Sequence, residues 1–265
     1  MYEFEFAGYT KEQCDLYLKR IEAEFDGEAN MENLNRLIVC HQRTVPFENL
    51  AMSENWGSID LDPEALFQKV VTDRRGGFCF ELNGAFCLLL KGLGYDAVGV
   101  MARIGVPFVG KLLPLHHRGI VVALDGAEYY LDVGLGGPKP ECAIPFSGEK
   151  KTVNGKTYWI EDTERGWKML KNSNNGEDSS CVIFAPIAML PFDFTGNCMN
   201  LIASGNTIFH KNRIVNINAE EGFTAIENYT ITIDAPGGKI EREYAEEEFP
   251  ALLKQYFGID YPVNG

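Results

Sequence analysis

Arg74-Arg75-Gly76-Gly77-Phe78-Cys79-Phe80-Glu81 sets a cysteine behind two glycines and at the head of an apolar run. Phe80, Phe86, Leu88, Leu89 and Leu90 fall at helical spacing, which predicts a buried helix starting within a residue or two of Cys79. The free N–H groups of a helix start carry partial positive charge, and Arg74 and Arg75 add to it; both favour an anionic sulfur. Gly76 and Gly77 have no Cβ, so the chain can turn tightly and other groups can come close to the sulfur. Of the seven cysteines (14, 40, 79, 87, 142, 181 and 198), Cys79 is therefore the best candidate nucleophile. Most free cysteines are small buried hydrophobes, so the assignment depends on partners elsewhere in the chain.

A nucleophilic thiol needs a base and a group that orients the base. The histidines are 41, 116, 117 and 210. Asp125-Gly126, between two short strand-like runs, is a strong signal for a two-residue hairpin. In that register Leu124 faces Ala127, Gly119 faces Asp132 and His117 faces Gly134. Side chains alternate faces, so His117, Gly119 and Asp132 share one. His117 and Asp132 then lie on a diagonal with Cα atoms about 7–8 Å apart, and Gly119 leaves room between them. His116 points to the opposite face; a loop one residue longer would exchange the two histidines. Cys79, His117 and Asp132 form the expected triad.

Helices must carry the cysteine. Thr10-Lys11-Glu12-Gln13 is a capping box, followed by Leu16, Leu18, Ile21 and Phe25, with Gly27 as a stop. A second helix runs from about Met31 with Leu34, Leu37, Ile38 and His41 on one face, and ends at Val45-Pro46. Asp62-Pro63-Glu64-Ala65 opens a third, and the Cys79 helix is the fourth, stopping near Gly92 and Gly94. Strands must carry the histidine and aspartate. The runs 95–103, 119–124, 128–133, 156–160, 167–170 and 182–184 are short and separated by turn residues, which suggests a small barrel or curled sheet. Beyond Pro191 the runs 207–217 and 223–233 read as strands and 245–256 as a short helix.

The 265 residues suffice for two compact domains, and 45% hydrophobic with 23% charged residues is an ordinary soluble composition. A net charge of −14 argues against a general role on nucleic acid or anionic membranes. The start Met1-Tyr2-Glu3-Phe4-Glu5-Phe6 has no signal-peptide character, and no apolar stretch reaches the length of a membrane span. Scattered cysteines without a C-x-x-C pair fit a reducing cytoplasm better than a disulfide scaffold or a metal site. The expectation is a cytoplasmic protein without metal.

Arg75-Gly76-Gly77-Phe78-Cys79-Phe80-Glu81, Val45-Pro46-Phe47-Glu48-Asn49-Leu50, His117-Arg118 and Leu131-Asp132-Val133-Gly134-Leu135-Gly136 together resemble the arylamine N-acetyltransferases in order and spacing. The resemblance implies an α+β fold: a helical bundle over 1–91, a β-barrel over 92–195 and an α/β lid over 196–265, in a papain-like Cys-His-Asp arrangement. It implies ping-pong transfer from acetyl-CoA through an acetyl-cysteine to an arylamine or arylhydrazine, with Cys79 as acyl acceptor, His117 as base and Asp132 as orienting acid. Phe47, Leu135 and Phe209 would line the acceptor pocket; Leu135 stands where the family often has phenylalanine, which would weaken stacking on the acceptor. Gly136, Lys111 and Arg213 are the CoA-binding candidates, with Arg118 and Lys211 as further cations. The same triad would also serve an amide synthase, another acyl donor or acceptor, or a cysteine hydrolase. The physiological acceptor and the oligomeric state stay open.

Overall fold

The computed structural model describes residues 6–104, 114–137, 139–174 and 177–262. Thr10 accepts from the Gln13 N–H and the Gln13 side chain answers, closing the capping box that starts α1 (Lys11–Arg20). Asn30 caps α2 (Met31–Thr44), which turns Leu34, Leu37, Ile38 and His41 inward as their spacing predicts. β1 (Phe47–Glu48) and α3 (Leu50–Ser53) follow. α4 (Pro63–Phe67) starts at the Asp62 cap and runs on through a π-helical turn, Gln68–Thr72. α5 (Cys79–Gly92) is buried from Cys79 to Leu90, so it forms the centre of the helical unit rather than one of its faces.

Eight antiparallel strands then form one strongly curled sheet in the order β5-β4-β3-β2-β9-β8-β7-β6. They are β2 (Asp96–Ile104), β3 (His117–Leu124), β4 (Ala127–Leu131), β5 (Ile144–Pro145), β6 (Lys151–Val153), β7 (Lys156–Asp162), β8 (Lys168–Asn174) and β9 (Glu177–Phe184). β5 returns against β7, which nearly closes the sheet into a barrel. Its interior is packed with Val100, Tyr130, Leu135, Ile160, Leu170 and Phe184. The β3–β4 hairpin has the expected register, from Leu124 opposite Ala127 to Ile120 opposite Leu131. Its two turn residues, Asp125 and Gly126, have φ of 52° and 77°, the left-handed pair a tight hairpin requires.

α6 (Asp193–Ala203) packs Phe194, Cys198 and Leu201 into the helical core. A second sheet follows in the order β1-β10-β11-β12-β13, so the helical unit supplies its edge strand. Its other strands are β10 (Ile214–Asn218), β11 (Phe223–Glu227), β12 (Thr230–Ala235) and β13 (Gly238–Glu243). Two readings of this region are corrected. Residues 207–217 hold a short helix, α7 (Ile208–Lys211), before β10, because the Thr207 hydroxyl bonds His210 Nδ1 at 2.8 Å and closes a helical turn. Residues 223–233 divide at Asn228, whose φ of 52° turns the chain between β11 and β12. The expected C-terminal helix is present as a 3-10 turn, α8 (Phe249–Leu252) and a π-helical turn (Leu253–Phe257), packed on this sheet.

Candidate active site

Cys79 opens α5 and is held there by the chain on both sides. The Phe78 N–H donates to Glu81 Oε2 at 3.2 Å, so Glu81 caps the helix that carries the sulfur. Lys69 Nζ sits 2.7 Å from Glu81 Oε1, and Arg75 donates through Nε and a terminal nitrogen to Glu48 Oε1 at 3.0 and 2.6 Å. These four charges are almost wholly buried. Burial alone would raise Glu48, but Lys69 and Arg75 overcome it and hold its carboxyl below the ordinary range. Glu81 is raised, because burial and the facing Glu48 outweigh its single cation, Lys69. The guanidinium of Arg75 also lies 3.5 Å above the Trp56 ring.

The two glycines serve this support rather than access to the sulfur. A Cβ on Gly76 would stand 2.1 Å from the Pro46 carbonyl oxygen, and one on Gly77 would stand 2.9 Å from the Glu81 side chain. The Glu48 N–H donates to the Gly77 carbonyl at 2.9 Å, so the loop lies against β1 and only glycine fits between them. The glycine of the Asp132-Val133-Gly134 run plays the same part: its Cβ would come within 2.8 Å of the Cys79 Cα. That close approach brings the end of the β4 segment onto the start of α5.

The hairpin and this contact bring the three expected residues together. His117 Nε2 lies 2.6 Å from Asp132 Oδ2, and the Cys79 sulfur is near enough to help raise His117. With Nε2 committed to the acid, Nδ1 is the nitrogen left for the sulfur. Cys79 is 3% exposed, His117 2% and Asp132 0%. Burial disfavours a charged imidazole, yet Asp132 and the Cys79 sulfur overcome it and raise His117 from the ordinary 6.5 to about 10. Burial would likewise raise Asp132, but its partners, His117 foremost, hold it below the ordinary range. His116 faces away: its ring Nε2 meets Asn200 Oδ1 at 3.1 Å, while its carbonyl accepts from Cys79 Sγ at 3.8 Å.

Sequence reasoning missed three residues that hold this cluster. Asn83 donates through Nδ2 to Asp132 Oδ1 at 2.9 Å and to the Arg118 carbonyl at 2.6 Å, and accepts from the Val133 N–H. It stands one helical turn after Cys79, so an i, i+4 reading of α5 would have placed it on the same face. Gln42 on α2 donates to the Asp132 and Pro140 carbonyls, both at 3.0 Å. Asn49 donates to the carbonyls of Phe209 and Asn212 at 2.8 and 2.7 Å and accepts from the Ile214 N–H, fixing the short helix over the site.

The remaining candidates separate. Phe47 and Phe209 rings lie 6.1 Å apart, and Phe78 lies 6.3 Å from Phe209, an aromatic wall beside the start of α5. Leu135 belongs to the barrel interior instead, packed among Tyr130 and Phe184. Gly136 abuts Phe47, since a Cβ there would be 3.0 Å from the ring, and its carbonyl accepts from Asn216. It also lines a cleft of about 540 Å³ with Gly137, Lys139, Lys156, Asn216 and Asn218. Arg213 is corrected: all five of its N–H donors are taken by Glu54, Glu246 and the Tyr244 hydroxyl, so none is left for a phosphate. Arg118 is also no surface cation, being 2% exposed with its guanidinium 4.0 Å above the Phe194 ring. Lys111 lies outside the described residues. Among the described residues no group of histidine, cysteine or acidic side chains could hold a metal, and no helix is long and apolar enough to cross a membrane.

The family model described as N-acetyltransferase matches residues 30–264 of the chain. The chain belongs to the arylamine N-acetyltransferase family. It is 35% identical over 148 residues to an arylamine N-acetyltransferase / N-hydroxyarylamine O-acetyltransferase of Salmonella typhimurium, a match covering 55% of this chain and 52% of that protein. The chain thus spans about half the length of this curated relative. The solved Salmonella typhimurium arylamine N-acetyltransferase has the same fold, with a TM-score of 0.88 at 23% identity over 97% of this chain and 94% of that one. A Mycobacterium marinum arylamine N-acetyltransferase solved in complex with CoA superposes with a TM-score of 0.83 at 23% identity, covering 93% of each chain.

Proposed function

We propose that the protein transfers an acetyl group from acetyl-CoA to an arylamine or arylhydrazine through an acetylated Cys79. The observation that carries this reading is the sealed cluster of Cys79, His117 and Asp132, with its 2.6 Å histidine–carboxylate contact. Cys79 and His117 share one proton, which sits on the raised His117 imidazole as the sulfur attacks the thioester carbonyl and forms the new C–S bond. The C–S bond to CoA then breaks and CoA leaves with the proton from His117. One thioester replaces another, so the intermediate forms near energetic balance and divides one transfer into two steps. An arylamine, neutral at pH 7, next attacks the acetyl carbonyl; His117 accepts its proton and returns it to the departing Cys79 sulfur. N–H groups of the first turn of α5 stand beside the sulfur and would take the developing oxyanion.

Near-complete burial of the triad favours transfer over hydrolysis, because water is a poor competitor where it scarcely enters. Phe47, Phe78 and Phe209 suit a flat aromatic acceptor. The cleft that starts at Gly136 suits the arm of the donor, and the CoA held by the Mycobacterium marinum relative supports a CoA thioester as that donor. Its lining includes Lys139 and Lys156 but also Glu141, Glu221, Glu227 and Asp234. That balance fits the neutral pantetheine chain better than the phosphates, which would remain toward solvent.

Steady-state kinetics test the reading. Acetyl-CoA and an arylamine varied together should give parallel double-reciprocal lines and an N-acetylated product, and Cys79→Ser should abolish both. Intersecting lines, or free acetate as the only product, would overturn it.

A further inference from the structure

Asp132 Oδ2 accepts two hydrogen bonds, and only one comes from the triad. His117 Nε2 lies 2.6 Å from it and the Tyr130 hydroxyl 2.7 Å. Tyr130 is fully buried in the barrel interior, its ring stacked on Phe184 with centroids 4.5 Å apart. The ring occupies the space that Gly119 leaves: a Cβ on Gly119 would stand 2.6 Å from the hydroxyl oxygen and 2.5 Å from the ring. The room that the hairpin register predicts between His117 and Asp132 is therefore filled by a phenol that reaches the acid.

We propose that Tyr130 is a positioning residue for acyl transfer: by sharing Oδ2 with His117 it keeps Asp132 ionised and fixes the oxygen on which the His117 ring is held. The inference rests on the acyl-transfer reading above. Oδ1 is served separately by Asn83 Nδ2 and the Gly134 N–H, both at 2.9 Å, so the carboxylate has two donors on each oxygen. Burial and the neighbouring Asp132 charge push the Tyr130 phenol well above its ordinary pKa, so it stays a donor throughout the working range. Removing one donor leaves a buried lone pair of a charged group facing an apolar ring, which costs more than the hydrogen bond contributes when it is present. The cost falls on the ionised form of Asp132, the form that stabilises the imidazolium as the sulfur attacks.

The test compares single-turnover acetylation of Cys79 by acetyl-CoA in wild type, Tyr130→Phe and Tyr95→Phe. Tyr95→Phe is the control: its hydroxyl donates to the Asn30 carbonyl at 2.9 Å, in the helical unit, and its loss should touch stability alone. Tyr130→Phe should lower the acylation rate at saturating acetyl-CoA about tenfold, the scale of one hydrogen bond to a charged group, without changing the half-saturating concentration. The His117 ring N–H resonance in the proton NMR spectrum should shift in the same variant, because its acceptor oxygen passes from two donors to one. A wild-type rate, a changed half-saturation alone, or a lowered rate with that resonance unmoved would each overturn the inference. Should Tyr130→Phe fail to fold, the wild-type spectrum decides: the Tyr130 hydroxyl proton must exchange slowly and show through-space contact with the His117 ring N–H, and no such contact refutes the sharing. Failure of wild-type Cys79 to take an acetyl group would sink the proposed function instead, and the spectrum would then judge the sharing of Oδ2 by itself.

Discussion

Asp132 is the most heavily bonded side chain of the site, with His117, Tyr130, Asn83 and Gly134 all donating to its carboxylate. Changing it to asparagine would turn one acceptor oxygen into a donor facing other donors. Asp132→Asn should therefore lose transfer activity by about a hundredfold or more, an effect on the scale of several kcal/mol. His116→Ala should stay within a few-fold of wild type, since its ring bonds only Asn200; assay of the two variants side by side checks the assignment. The His117–Asp132 pair also contributes to stability. His117 is raised from 6.5 to about 10 on folding, so its contribution is complete below pH 6.5, declines above it and is gone once the pH passes about 10. The melting temperature of wild type should fall across that window, and the fall should be shallower in Asp132→Asn, which lacks the charge that raises His117. The choice of His117 over His116 is legible in the sequence because a two-residue hairpin fixes alternation locally. The other donors to Asp132 are not, because Asn83 comes from a helix 49 residues away and the use of the Tyr130 hydroxyl depends on which face of the strand the barrel encloses.

At the level of elements, the start of α5 rests on a buried pair of cations and carboxylates that joins it to β1 and the turn after α4. Removing one member of such a group leaves an unpaired buried charge. Arg75→Ala should thus cost about 3–5 kcal/mol in urea unfolding. Gly76→Ala should destabilise as well, with loss of acylation in the fraction that stays folded, since its Cβ meets the Pro46 carbonyl at 2.1 Å. An unchanged urea midpoint in both would show that the loop has another support. α1, α2 and α4 are legible because each has a cap and an apolar spacing, and α5 because of its long apolar run. α7 is not, because Thr207-Ile208-Phe209 has the residue types of a strand while the helical turn depends on His210 and on Asn49, 160 residues away from the Phe209 carbonyl it holds.

At the scale of the molecule, the site lies where three cores meet: the helical unit, the barrel interior and the C-terminal sheet, to which β1 contributes an edge. Arg213 lies buried in the C-terminal part of this junction. A cation near the C-terminal sheet suggests a phosphate contact, but the fold closes Glu54 and Glu246 around it and makes it the clamp between the end of α3 and the 3-10 turn (Glu246–Glu248) before α8. Leu135 packs inside the barrel, so bulky aryl amines should be limited by Phe47, Phe78 and Phe209; rates across an arylamine panel should respond to Phe209→Leu more than to Leu135→Met. The central claim is the covalent one, and it can be tested most directly by incubating the protein with acetyl-CoA and no amine, then mapping the digest by mass spectrometry. One acetyl group on the Cys79 peptide, absent in His117→Ala and discharged when an arylamine is added, is the predicted result. An unmodified Cys79 peptide under the same conditions would contradict the mechanism.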